Sequence, residues 1–225
     1  MKKRIFSVIM SLGMVLILFL TGNFGICPIL ADAAQLSTDG ITIDSEYIIP
    51  DSFDWCTYYV VVATNNTGRD IKISADFVAL DKKGNVLSKV NDYSEAVKKG
   101  QQFILYGQFL NKNVRNASKY QYAFGIAETD NCTYNSVDVD ASNIGGCIEV
   151  SATNYSQKDI QGVGVRTVFL NNGKPVAFDT VNIADVGYVF HGGSTNSQVI
   201  GSNAGSYDDY ILTYTSAGNN QVVDF

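Results

Sequence analysis

Beyond about residue 40, apolar positions come in short runs rich in β-branched and aromatic residues. Clusters of Gly, Asn, Asp and Ser separate them. Runs at 58–64, 71–80, 103–109, 120–127, 147–153, 163–170, 176–183 and 210–215 predict strands. Helical periodicity is almost absent, the exception being a short turn around 97–100 and its approach. Strands at this spacing predict an all-β chain of antiparallel sandwiches. Alternation places Val163, Val165, Thr167 and Phe169 on one face of a strand. In 71–80, Ile71, Ile73, Ala75, Phe77 and Ala79 alternate while Val78 and Leu80 fall on the other side, which predicts a bulge.

The runs repeat. Asn65-Asn66-Thr67-Gly68-Arg69-Asp70-Ile71 and Asn154-Tyr155-Ser156-Gln157-Lys158-Asp159-Ile160 are one phrase written twice. Asn65 and Asn154, Asp70 and Asp159, Ile71 and Ile160, and Gly84 and Gly173 all keep one offset. Asn and Asp satisfy backbone groups two residues on, and Gly supplies positive φ, so these are turn positions. The expected organisation is two tandem β-sandwiches, 42–130 and 147–225, joined by a polar connector at 131–146. Val60, Val62, Ile71, Phe77, Phe103, Tyr122 and Phe124 are the expected core of the first. Val150, Val163, Val165, Phe169, Val181 and Leu212 are that of the second.

The run from Asn65 through Phe77-Val78-Ala79-Leu80-Asp81-Lys82-Lys83-Gly84 resembles the FxLYD domain. Phe77, Leu80 and Asp81 follow the outline of its name motif, and Thr167-Val168-Phe169-Leu170-Asn171 with Gly173 is a divergent second copy. Gly100 to Phe103 is similar to the family's later Gly-then-strand element, with Gly193 as its counterpart. The resemblance implies immunoglobulin-like sandwiches of secreted or surface proteins, common in Gram-positive bacteria. It implies no catalytic residues.

The N-terminus changes the compartment. Lys2-Lys3-Arg4, an apolar stretch from Ile5 to Leu20 and the small residues of Ala31-Asp32-Ala33 predict a secretory signal peptide over 1–33, cleaved before Ala34. Ile26 before Cys27 is too large for a lipobox. Removing 33 residues leaves 192, and loss of Lys2, Lys3, Arg4 and Asp32 takes the formal charge from −6 to −8. An acidic chain without a basic stripe repels nucleic acid and anionic lipid. No nucleic-acid partner and, after cleavage, no membrane are expected. The expected location is extracellular. Export permits a disulfide, and Cys56, Cys132 and Cys147 remain after processing. Closeness in sequence favours Cys132 with Cys147, while the matching places of Cys56 and Cys147 favour Cys56 with Cys132.

Candidate chemistry is sparse. His191 is the single histidine and lies in a loop-like stretch, with no nucleophile elbow or cysteine-protease signature elsewhere. Gly162-Val163-Gly164 lacks the context of a phosphate loop. Asp138, Asp140 and Ser142 stand at positions 1, 3 and 5, and Glu149 at position 12, of an EF-hand-like count. Asn143 takes the place of the required glycine, and the flanks are strand-like. The expectation is a polar connector, no metal and no cofactor. Glu46, Asp51 and Asp54 near Trp55, the sole tryptophan, and Asp208-Asp209 between Tyr207 and Tyr210 are the paired carboxylates a glycan hydrolase would use. Trp55, Tyr207, Tyr210 and Tyr214 are the candidate ligand-binding residues, since aromatic groups flanked by Asp and Asn suit a protein- or carbohydrate-binding face. The expected function is a secreted, non-enzymatic binding or spacer protein whose partner is an extracellular protein or cell-wall glycan. A secreted glycan hydrolase is the alternative.

Overall fold

A computed structural model describes residues 39–218. The expected signal peptide, its cleavage point and Cys27 lie outside the described residues. Within them, no helix is long and apolar enough to cross a membrane. The chain is almost wholly antiparallel β-structure. Its first half contains β1 (Ile41–Pro50), β2 (Cys56–Asn65), β3 (Ile71–Leu80), β4 (Val86–Val97), β5 (Gln102–Leu110) and β6 (Lys119–Glu128), with one helical turn, α1 (Asn111–Val114). These strands make two sheets, ordered β1-β2-β5 and β4-β3-β6. Tyr59, Val61, Ala63, Phe103 and Leu105 of the first sheet meet Ile71, Ile73, Ala75, Phe77 and Ile126 of the second in a buried core. The alternation expected in β3 holds, and its pairing with β4 shifts register between Ile71 and Ile73 and again between Ala79 and Leu80.

The second half repeats the arrangement. A 3₁₀ turn (Tyr134–Ser136) leads into β7 (Val137–Ile144), β8 (Cys147–Asn154), β9 (Ile160–Gln161), β10 (Val163–Asn171), β11 (Lys174–Ile183), β12 (Val189–Phe190), β13 (Thr195–Ile200) and β14 (Asp209–Thr215). The sheets are β7-β8-β13 and β11-β10-β14, with a short β9-β12 pair. β7, β8, β10, β11, β13 and β14 thus stand where β1 to β6 stand in the first half. Ile148, Val150 and Ala152 of β8 pack on Val163, Val165 and Phe169 of β10.

A third core joins the halves. Ile49, Val60, Val62 and Ile104 on the outer face of β1-β2-β5 pack against Val168, Leu170 and Phe178 on the outer face of β11-β10-β14. The Phe178 ring lies 5.2 Å from Tyr58 and 4.8 Å from Tyr106. The result is four stacked sheets with three apolar layers between them. Val60 and Val62, expected in the first core, therefore belong to this seam, and Tyr59, Val61 and Ala63 take their place inside. β2 is apolar at consecutive positions because both its faces are buried.

Three further expectations change. Residues 137–144 are not connector but β7, paired with β8 along its whole length from Val137↔Asn154 to Ile144↔Cys147. Residues around 97 extend β4 instead of forming a helical turn. Cys56, Cys132 and Cys147 are free thiols. Cys132 bridges to Ala217 before β7 begins, whereas Cys147 follows the hairpin at its far end. Eight strand residues separate the two by roughly 25 Å, against about 5.5–6 Å between the Cα atoms of a disulfide. Cys56, at the start of β2, is buried in the first half.

Candidate functional site

The repeated phrase is a structural lock. Asn65 and Asn154 end β2 and β8 and are fully buried. Asn65 Nδ2 donates to the carbonyls of Arg69, Val97 and Lys98 at 2.8–3.2 Å. Asn154 Nδ2 does the same to Lys158, Phe190 and His191 at 2.9–3.2 Å. Their Oδ1 atoms accept from the hydroxyls of Thr67 and Ser156, both at 2.7 Å. Asp70 accepts the Lys99 N–H, and Asp159 accepts that of Gly192. His191 belongs to this lock: its Nδ1 is 3.2 Å from the Asp159 carboxylate. The Gly192 amide and then the imidazole hold the Asp159 carboxyl below its ordinary pKa.

Trp55 belongs to a different feature. The 51–55 loop at the tip of the first sandwich is held by hydrogen bonds. Asp51 N–H donates to the Cys56 carbonyl at 2.9 Å, and Asp51 Oδ2 accepts from Phe53 N–H. Asn111, at the start of α1, donates from Nδ2 to the carbonyl and to Oδ1 of Asp54, at 2.9 and 2.8 Å, and from its backbone to the Trp55 carbonyl. Its own Oδ1 accepts from the Thr57 hydroxyl. Asp54 takes a left-handed φ of 55°, a conformation that Asp tolerates and that holds the turn tight. This rigid loop leaves Phe53 75% and Trp55 61% exposed. Beside them lies a cleft of about 520 Å³, lined by Trp55, Asn111, Lys112, Arg115 and Tyr120 among others.

The other aromatic candidates are not gathered with Trp55. The Tyr207 ring packs edge-on against Phe169 at 4.9 Å, and its hydroxyl donates to Asn143. Tyr210 and Tyr214 lie on β14, half-buried against the second core. Tyr214 stacks on Tyr134, and its carbonyl accepts from Tyr134 Oη and Gln101 Nε2, both at 2.9 Å.

The carboxylates near Trp55 in sequence are also engaged. Both Glu46 oxygens accept tyrosine hydroxyls, from Tyr59 at 2.5 Å and Tyr122 at 2.9 Å, and burial first, then the carboxylate, raises both phenol pKa values. Asp54, bound to Asn111, is the carboxylate among the described residues lining the Trp55 cleft. Asp208 accepts the Asn172 N–H.

The calcium reading gives way to a hairpin. Asp138, Asp140 and Ser142 lie along β7, and Glu149 faces Ser142 across the ladder from β8. Asp138 pairs instead with Thr153, which puts it roughly 13 Å along the hairpin from Glu149. The turn is made by Gly145 and Gly146, at φ 58° and 93°, and Glu149 accepts from Ser197. The four oxygens cannot close on one ion in this geometry.

No family model matches the chain, and no curated protein matches it. Among solved structures it is similar to red sea bream transglutaminase, at 10% identity and a TM-score of 0.25 over 76% of this chain and 29% of that one. It is also similar to a β-glucuronidase from glycoside hydrolase family 2, at 12% identity and a TM-score of 0.17 over 74% of this chain and 20% of that one. The chain thus spans less than a third of either protein's length.

Proposed function

We propose that this protein is a secreted, non-enzymatic binding module of the bacterial exterior, built from two immunoglobulin-like sandwiches of the FxLYD type, and that it meets its partner through the Trp55 tip. The observation that carries this reading is the exposure of Phe53 and Trp55 on a loop fixed by Asn111 and by the left-handed Asp54. A large apolar side chain held in water costs free energy, and fixing it beforehand lowers the entropy lost on binding. Aromatic anchors of this kind dominate recognition interfaces. Lys112 and Arg115 beside the cleft give a cationic rim on an otherwise acidic chain. A partner with acidic or hydroxyl-rich groups, a cell-wall glycan or an extracellular protein, suits that rim. A glycan hydrolase needs two facing carboxyl groups. Beside Trp55, Asp54 is tied to Asn111, while Glu46 lies opposite Val61 of β2, six residues on from Trp55, and is tied to two tyrosines.

The test is retention of the purified protein on cell walls and on secreted proteins of its host, against Trp55→Ala and Phe53→Ala. The expected result is capture by one of the two partner classes that both substitutions abolish. Equal capture of wild type and variants, or turnover of a glycan substrate, overturns the reading.

A further inference from the structure

We infer that the groove along the seam between the two sandwiches is a second binding site, which takes an uncharged, extended glycan chain. It is independent of the Trp55 tip. The outward face of the β11-β10-β14 sheet changes character partway along its length. At one end Val168, Leu170 and Phe178 lie in the seam core. Towards the other end the residues are Gly164, Arg166, Thr180, Asn182 and Thr215, and these floor an open groove of about 790 Å³. A Cβ on Gly164 would lie 3.0 Å from Thr215 Oγ1, and one on the adjoining Gly162 would lie 2.5 Å from the Asn182 side chain. The Thr215 and Asn182 side chains thus lie over the two glycines, and the floor offers their hydroxyl and amide to the groove.

The walls come from both halves. Tyr93 on β4, 45% exposed, lines one side, and Tyr188 before β12, 80% exposed, lines the other. The main charges in the floor cancel. Arg166 forms a bidentate pair with Asp92 at 2.7 and 2.8 Å, donates to the Ile104 and Tyr93 carbonyls and lies over the Tyr106 ring. Glu95 adds one carboxylate at the side.

These features select the ligand. Tyrosine walls and neutral hydrogen-bonding groups suit sugar rings, which offer an apolar face and a rim of hydroxyls. β10, under the groove, is paired on both sides and offers no edge to an added peptide strand, whereas β11 and β14 are the edge strands of the same sheet. The acidic chain disfavours anionic polymers.

The test is calorimetric titration of the protein as isolated with three soluble hexamers: β-1,4-linked N-acetylglucosamine, β-1,4-linked glucose and β-1,3-linked glucose. At least one is expected to bind. Tyr188→Ala and Tyr93→Ala should each weaken that binding about tenfold, while Tyr155→Ala, an exposed tyrosine in the turn after β8, should not. Trp55, as the sole tryptophan, reports the tip by its emission, and that emission should stay constant through the titration. Heat with all three hexamers absent, or binding that both groove substitutions leave unchanged, overturns the proposal. So does Trp55 emission moving in step with the heat, because it would place the glycan at the tip.

Discussion

Two buried asparagines make the same set of bonds in the two halves. Each closes its own turn and ties the turn to the β4–β5 connection, or to its β12–β13 equivalent, through three backbone carbonyls. Loss of the amide leaves those carbonyls, partly buried, without their donor. Asn65→Ala or Asn154→Ala should lower stability by about 2–4 kcal/mol, measured by urea denaturation. Asn66→Ala, one residue away and exposed, should cost far less. The Asp159 carboxyl works at the same scale. Its folded pKa is depressed, with the Gly192 amide the larger cause and His191 the second. Its contribution to folding is therefore fully present above the unfolded value near 3.8 and fades as pH falls through the lower folded value. A carboxyl titration followed by NMR should find the Asp159 midpoint below 3.8, and it should stay depressed in His191→Ala because the amide remains.

At the scale of elements, β7 decides the fate of the cysteines. Its pairing with β8 carries Cys147 to one end of the second sandwich and leaves Cys132 at the other. Burial and the neighbouring Asp70 push the Cys132 thiol up to about 12, so it stays protonated and unreactive at neutral pH. Alkylation in denaturant without reductant, followed by peptide mapping, should mark Cys56, Cys132 and Cys147 alike. A Cys132–Cys147 disulfide would leave that pair unmarked. The 51–55 loop makes the opposite use of local structure, since its hydrogen bonds hold two aromatic side chains out of the core.

At the scale of the whole molecule, the seam makes the halves one body. Isoleucine, valine, leucine and phenylalanine side chains fill it, and Arg166 pairs with Asp92 at its edge, both largely buried. Burial pushes the Asp92 carboxyl up and the guanidinium pulls it down. Removing the arginine alone strands a carboxylate in the seam. Arg166→Ala should cost about 3–5 kcal/mol, whereas replacing both partners with apolar residues of similar size should cost much less. The wild type should unfold in one cooperative transition, while Arg166→Ala should lower the midpoint and, where the seam opens first, split the transition in two. Calorimetry reads both.

The sequence by itself determined the strand class, the duplication and the turns. Turn chemistry is local: Asn65, Asp70 and Gly84 act on backbone within a few residues or across one hairpin, and their second copies at Asn154, Asp159 and Gly173 advertise the repeat. The alternation of Ile71 to Ala79 was legible because β3 buries one face in the first core. β2 was not. Its run from Tyr58 to Ala63 is apolar without alternation, and such a run has no preferred face in the sequence. Only the packing of one sandwich on the other sends Val60 and Val62 to the seam and Val61 and Ala63 to the core. Polar edge strands hid in the same way. β7 alternates Asp, Val and Ser on an exposed sheet edge, which reads as connector until β8 lies beside it. The Trp55 tip was half legible: the tryptophan stood out, but its clamp, Asn111, is remote in sequence. The seam groove was not legible at all, because Tyr93 and Tyr188 share a wall-to-wall space only after two separate sheets have stacked.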